Sequence, residues 1–477
     1  MDNSQETTGV QNVVIENVTP DSMKVNVNGE VKEIKNTLDE LKLLFQGLNV
    51  DNFKSGDKIY NIGSITNAVF SAEIGKKTFN MYLCRKLTEA IRDYSPDARK
   101  LLEKLIKDTD KANWETKQSY RNLALPYIIN GFVGVLSIFL GKLISSGNTS
   151  FSSKNAKDYL EVCIATTKRT LQLLAYSFIS KLWDHKKNNE CELSTDQLSS
   201  LDKNFFNIER ELDIIENLDL FKTLINIFDE QNIEYPFSEF NKDCLKDDSN
   251  FIKACKNLAN IHSKLDSGEY EFSIAFEAEN ELTVFLTTLS FFAKYKMVSV
   301  KDISYEEVRN ENAQYLLSYT FLGVDNDSNI KKPNSPKYRY DSRPISSNAV
   351  IIYKSNYQEG LNLFPLIIDK NALILDKEKK KSTEVKICFF IYLNEDEKKL
   401  IYSDIAQISS AKNDNANDYS DLSQVEIQYN EKVENELKNA NTDNDITELK
   451  EDVNKYNELQ LNTIYKIFEN AKKELMK

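Results

Sequence analysis

The hydrophobic and polar positions change period along the chain, and the changes mark its elements. Val13-Val14-Ile15 is followed by Ser22-Met23-Lys24-Val25-Asn26-Val27, which alternates with period two. Asn28-Gly29 then offers the left-handed positions of a tight turn, and Glu30-Val31-Lys32-Glu33-Ile34 returns, so 13–35 reads as a β-hairpin. Asn36 can cap a helix whose apolar face is Leu38, Leu41, Leu44 and Phe45. From about 64 to 265 the period is helical: Asn80 to Ile91, a stretch opening at Ser95-Pro96, the apolar run Tyr127–Ile144, and Asp158 to Trp183. Ser194-Thr195-Asp196-Gln197 has the form of a capping box, and further helices are expected over about 196–215, 218–231 and 248–264.

The character changes near 270. Glu277 to Tyr295 is one more helix, after which Lys296–Lys301, Ala349–Tyr353, Val385–Leu393 and the short Leu400-Ile401-Tyr402 carry strand signals. Lys331 to Pro344 holds three prolines among many charges and is expected as a long exposed loop. The Asn/Asp/Ser-rich stretch 406–445 reads as linker. Ile446, Leu449, Val453, Tyr456, Ile464 and Phe468 then lie near helical spacing, and the expected fate of that helix is docking on the body. The expected fold is mainly α, with a hairpin-plus-helix adaptor at 1–48, a helical domain at 49–265, a small α+β domain at 270–405, the linker, and a C-terminal amphipathic helix at 446–477.

Composition narrows the function. The 477 residues exceed what one core usually organises, and 13 Gly with 8 Pro leave few helix breakers. A net charge of −13 repels nucleic-acid phosphates and anionic membranes unless a local basic face compensates, and clusters such as Lys379-Lys380-Lys381 read as solvated loop. Six cysteines lack any CxxC spacing, and Cys84, Cys163, Cys255 and Cys388 sit in apolar periodic contexts, as buried free thiols do. With a polar, acidic start at Met1–Glu6, these features predict a reducing, cytoplasmic setting. The run 127–144 reaches the minimum length of a membrane span, yet it is short and alone, and burial in the helical domain is the expected outcome.

Catalytic chemistry leaves few marks. The two histidines, His185 at a helix end and His262 within one, are unpaired by sequence and stand beside no metal-ligand pattern. Gly75-Lys76-Lys77-Thr78 imitates the end of a phosphate loop, but Phe70 occupies the position of its first glycine, so no backbone cradle forms. The one enzymatic candidate is acidic. Asp369 or Asp376, followed by Glu384-Val385-Lys386 at a strand entry, has the carboxylate and E-x-K order with which many nucleases hold Mg²⁺ and activate water. The competing reading is a solvated strand edge. No cofactor and no resident metal are expected.

The stretch VNVNGEVKEIKNTLDELKLLFQ, followed by GDKIYNIGSITNAVF, is the most distinctive. With Asn113-Trp114, the 127–144 run and Lys181-Leu182-Trp183-Asp184, it resembles an N-terminal module of bacterial conflict-system proteins, including STAND-type NTPases of anti-phage defence. The resemblance covers about the first 185 residues. It implies a recruiting or sensing module joined to a different C-terminal half, because no Walker-type loop follows. Leu361–Asp369 also looks like a recurrent segment of such proteins. The expected function is therefore a non-enzymatic, adaptor-like or sensor-like protein that binds another protein, in an antiviral defence setting. Residues 1–265 are expected to dock, with the free hairpin edge open to strand addition, and 270–405 to choose the partner. The alternatives are the metal-dependent nuclease and a membrane-acting effector built on 127–144. Oligomerisation is left open.

Overall fold

The computed structural model describes the strands within 13–61, then residues 79–94, 128–147, 153–307, 314–322, 337–341, 349–354, 360–369, 387–405, 424–433 and 453–477, with isolated gaps and a few single residues between. The chain divides into two compact units, Met1–Met81 and Tyr82–Lys477.

In the first unit, β1 (Val13–Glu16), β2 (Ser22–Val27) and β3 (Glu30–Lys35) form an antiparallel sheet in that order. The pairing Val27↔Glu30 leaves Asn28 and Gly29 as the two intervening residues, as the turn signal predicts. The expected hairpin thus gains a third strand. A second hairpin, β4 (Asn52–Ser55) with β5 (Lys58–Asn61), falls in the stretch 49–265 read as helical.

The second unit opens with α1 (Met81–Ile91), α2 (Gly134–Gly147) and α3 (Ser153–Lys187). At 35 residues, α3 is about 50 Å long. It is the axis against which α2, α5 (Ile214–Glu230), α6 (Asn250–Asp266) and α7 (Phe272–Thr288) pack. The capping box at Ser194 and Gln197 forms and starts the short α4 (Thr195–Leu201). A second box, Asp213 with Glu216, starts α5. The five aromatic rings Phe178, Phe221, Phe228, Tyr235 and Phe240 interlock where α3 meets α5.

The apolar segment at 127–144 is core, as expected, with Phe132, Leu136 and Phe139 buried. It is not one helix, however: the chain breaks at Phe132-Val133 and α2 begins at Gly134. A Cβ on Gly134 would lie 2.0 Å from the carbonyl oxygen of Leu322, so only glycine lets this helix start so close to the chain leaving a strand. Among the described residues no helix is long and apolar enough to cross a membrane.

Two antiparallel sheets complete the unit. One has the order β10-β9-β6-β7-β8, built from β6 (Lys296–Glu306), β7 (Gln314–Phe321), β8 (Lys337–Asp341), β9 (Val350–Tyr353) and β10 (Leu361–Asn362). The other runs β11-β12-β13-β14, from β11 (Ile367–Asp369), β12 (Ile387–Asn394), β13 (Lys399–Asp404) and β14 (Gln424–Gln428). Two of these strands correct the sequence reading. β8 lies inside the expected proline-rich loop, because Lys337-Tyr338-Arg339-Tyr340 alternates, and β14 lies inside the expected linker, where Val425 and Ile427 alternate. Among the described residues the architecture is therefore helix-rich, as expected, with more sheet than the expectation held.

The last helix, α8 (Val453–Leu475), docks on this unit. Phe468 is fully buried, 4.5 Å in centroid distance from Phe390 and edge-on to Trp183 and Phe206. Asn462 acts as a piece of strand: its amide donates to the Asn430 carbonyl at 2.7 Å and its oxygen accepts from the Asn430 N–H at 2.6 Å.

Candidate functional site

The segment Leu361–Asp369 explains itself as a stitch between the sheets. Leu361 and Asn362 pair with β9, and Leu363 N–H donates to the Val350 carbonyl at 2.8 Å. The Asn362 side chain then accepts from Phe364 N–H, turning the chain. Five residues on, Ile367–Asp369 pairs with β12, and an isolated bridge from Ala349 to Ile368 ties the two sheets together. Tyr402 donates its hydroxyl to the Pro365 carbonyl at 2.8 Å, and Phe390 N–H donates to Leu366.

At the end of this stitch stands Asp369, with no exposed surface. It is a buried carboxylate. Ser299 donates to its Oδ2 at 2.7 Å, and Lys301 forms an ion pair with the same oxygen. Both donors lie on β6, and a bulge places the second. In the β6–β7 ladder Val300 faces Tyr319 and Asp302 faces Ser318, so Lys301 is the extra residue. The bulge keeps Val298, Val300 and Ile303 on the apolar face, packed with Leu317 and Ile351, and turns Lys301 to the carboxylate. A buried charge is tolerable when paired and hydrogen-bonded, and this one is both.

Of the nuclease candidates, only Asp369 is placed. Asp376, Glu384 and Lys386 lie outside the described residues. The register still bears on them, because Asp369 faces Ile387, the residue that follows Lys386 in the chain. Among the described residues no group of three or more His, Cys, Asp or Glu is arranged to hold a metal. His185 pairs with Glu190 at 2.6 Å at the end of α3, and His262 lies 3.8 Å from Asp266 on α6, so the two are apart on different helices. All six cysteines are free, and the four expected to be buried are buried.

Further polar networks link helices to sheets. Arg169 of α3 donates to Ser403 of β13 at 2.8 Å and to Gln172 at 2.6 Å, and it pairs with Glu211 at 2.6 Å, to which Lys168 also donates. Burial disfavours the Glu211 charge, but Arg169 and Lys168 outweigh it and hold its carboxyl below the usual range. Tyr176 donates to the Phe390 carbonyl at 2.5 Å. Glu239 accepts from Tyr295 at 2.8 Å and pairs with Lys354 and Lys294; burial opposes its charge, yet these partners hold it down to about 2. None of these groups was singled out in sequence, since each network closes between positions far apart in the chain.

One feature of the sheets is directed outward. β6 is eleven residues long, and β9 pairs with it only from Lys296 to Ser299, with one more hydrogen bond from Val300 N–H to Ala349. Beyond the bulge, β6 and β7 continue together with β8 on the far side of β7, a three-stranded arm whose near edge is β6. There Tyr305, 57% exposed, meets Tyr315 at 5.6 Å between ring centroids. Tyr305 donates its hydroxyl to Glu307. Asp302 and Ser304 are also exposed.

Compared with protein-family models, with curated proteins and with solved structures, the chain gives no match.

Proposed function

We propose that this chain is a non-enzymatic interaction protein, adaptor-like or sensor-like, whose 270–405 region selects a protein partner through the β6–β7 arm. The observation that carries the reading is the exposed Tyr305 ring, set against the half-buried Tyr315 that packs on the sheet's apolar cluster near the end of the β6–β7 hairpin. Tyrosine offers large contact area at small entropic cost, and it is enriched where protein surfaces meet. The buried Asp369–Lys301 link supports this by fixing the root of the arm. The proposed setting is a bacterial anti-phage defence system, on the resemblance of the first 185 residues to conflict-system modules. The test is capture from the native cell with the intact chain and with Tyr305→Ala. One retained protein should be lost from the variant; an identical captured set from both would remove the arm from recognition.

The nuclease reading keeps one specific observation. Asp369 ends a strand antiparallel to the one that begins just after Glu384-Val385-Lys386. In this reading Asp369 and Glu384 would hold Mg²⁺ and Lys386 would orient the attacking water. Against it, the Asp369 carboxylate is already bonded to Ser299 and Lys301. Mg²⁺-dependent cleavage of DNA or RNA by the intact chain, abolished by Lys386→Ala, would favour it. Equal cleavage by that variant would exclude Lys386 from the mechanism.

A further inference from the structure

The arm offers more than a ring pair. A strand normally has two edges satisfied in a sheet interior, and β6 has both up to Val300. From Asp302 to Glu306 only the β7 side is paired among the described residues. The other edge follows a bulge, where pairing with β9 and Ala349 stops. An edge of that kind holds backbone donors and acceptors able to pair with another extended chain; here the Ile303 N–H donates to the Asp302 carboxylate at 2.9 Å, a local bond an incoming strand would have to displace. Its exposure is direct: Asp302, Ser304 and Tyr305 are all classed as exposed, and Lys301 and Ile303 are half-buried.

Charge says what kind of chain fits. The sequence from Asp302 to Glu311, DISYEEVRNE, holds four acidic residues against one arginine. A second copy of this edge would bring like charges opposite each other, which disfavours self-pairing across it. The net charge of −13 adds to that repulsion. An incoming strand with lysine or arginine at alternate positions on the Asp302 face meets opposite charge there. An apolar or aromatic residue on its other face would reach the Tyr305 and Tyr315 rings.

We propose that the β6 edge from Asp302 to Glu306, unpaired on that side among the described residues, receives an extended, basic peptide segment of a partner protein, which adds to the sheet as a further strand. The proposal rests on the recognition reading above and names the chemistry of the partner segment. Backbone hydrogen bonds supply the common part of the affinity and the acidic arm supplies selection, the usual division in strand addition. Rising salt weakens such binding, because the charges involved are exposed.

The test uses the intact chain and defined peptides. The probe is the fluorescent peptide acetyl-Lys-Val-Lys-Tyr-Lys-Val-Lys-amide, with its Glu-for-Lys counterpart and a form N-methylated at alternate residues. Anisotropy gives affinity, and hydrogen exchange read by mass spectrometry locates the site. The Lys peptide should bind at least tenfold more tightly than the Glu peptide and slow exchange across 301–306. N-methylation should abolish binding, as should Tyr305→Pro, which removes an amide donor of the outer edge; Ser304→Pro, on the β7 side of the ladder, is the control for disturbance of the hairpin. Because Tyr305→Pro can also disturb the hairpin itself, the N-methylated peptide against the unaltered chain decides the matter. Equal affinity for both charges, binding that survives N-methylation, or binding without protection at 301–306 each overturns the proposal. If the Lys peptide fails while capture of a cellular partner still depends on Tyr305, strand addition is wrong and the recognition reading stands. If Lys-peptide binding holds and capture is indifferent to Tyr305, the reverse is true.

Discussion

Replacing Phe468 with alanine should release α8 from the body without unfolding the rest. The ring is fully buried, tilted against Phe390 at 4.5 Å between centroids and edge-on to Trp183 and Phe206, each at 6.4 Å. Truncating a buried phenylalanine to alanine costs about 3–5 kcal/mol, through lost transfer energy and the cavity left behind. The remaining described anchors of the helix have smaller apolar side chains, Ile464 and the fully buried Leu475, or are polar or stacked contacts. Asn462 makes two hydrogen bonds to Asn430, worth about 1 kcal/mol each, and Tyr465 lies 5.3 Å from Tyr429. If α8 opens as a local unit, the loss is felt in full by its own opening equilibrium. At about 1.4 kcal/mol per factor of ten, amide exchange over 462–475 should accelerate between about a hundredfold and several thousandfold. Ile467, next in the chain but 38% exposed, is the control. Ile467→Ala should change exchange by less than about tenfold, as surface substitutions do. The assay is hydrogen exchange resolved by peptide, with the α3 and α5 peptides as the reference. Acceleration below tenfold in Phe468→Ala, or an equal rise across α3 and α5, would refute the account of α8 as a separately docked element held by this ring.

Four further outcomes follow from the same structure. Gly134→Ala should destabilise the second unit by at least about 2 kcal/mol, because the new Cβ meets backbone that cannot swing away; chemical denaturation checks it, and an unchanged midpoint would mean that α2 does not start against Leu322. Leu136→Asp should unfold that unit cooperatively, since Leu136 is fully buried; a retained melting transition by calorimetry would count against burial. Arg169→Met should cost about 1.5–3 kcal/mol through its lost charged hydrogen bonds, Glu211 keeping Lys168 at 2.7 Å, and Arg169→Met with Glu211→Gln should recover part of it. The Lys142 ammonium, which donates to the Ile405 carbonyl at 2.5 Å, is pushed by burial from 10.5 down to about 8 against the pull of Asp404. A lowered lysine means that the unfolded chain binds the extra proton, so stability relative to Lys142→Met should rise as pH goes from about 8 to 10.5. A difference that stays flat across that window, followed by denaturant midpoints, would contradict the assignment.

The parts of the fold readable in sequence are those decided within a few residues. Asn28-Gly29, the Ser194–Gln197 box and the buried cysteines were legible because turn chemistry, capping and apolar spacing are local. The β4–β5 hairpin carried a local signal, Gly56-Asp57 between two short strands, just ahead of the helical period that begins near 64 and within the bounds drawn for the helical domain. β8 and β14 are hard to see in isolation, since five-residue strands among charges become strands only when a neighbour pairs with them. Asp369 was legible as a candidate, but not its surroundings. Ser299 and Lys301 stand 70 and 68 residues earlier, and nothing in the alternation of 296–301 announces a bulge. Tyr305 and Tyr315 are ordinary strand residues in sequence. Only the early end of β9 makes them the tip of an arm.

The most direct test of the central claim is the affinity of the captured partner for the intact chain and for Tyr305→Ala, measured by titration calorimetry at one salt concentration. A tyrosine at the centre of an interface is worth at least about 2 kcal/mol, close to thirtyfold in Kd. The account predicts a loss of that order, with the variant's melting temperature unchanged because the ring is largely exposed. Affinities within threefold of each other would contradict it and place recognition elsewhere on the molecule.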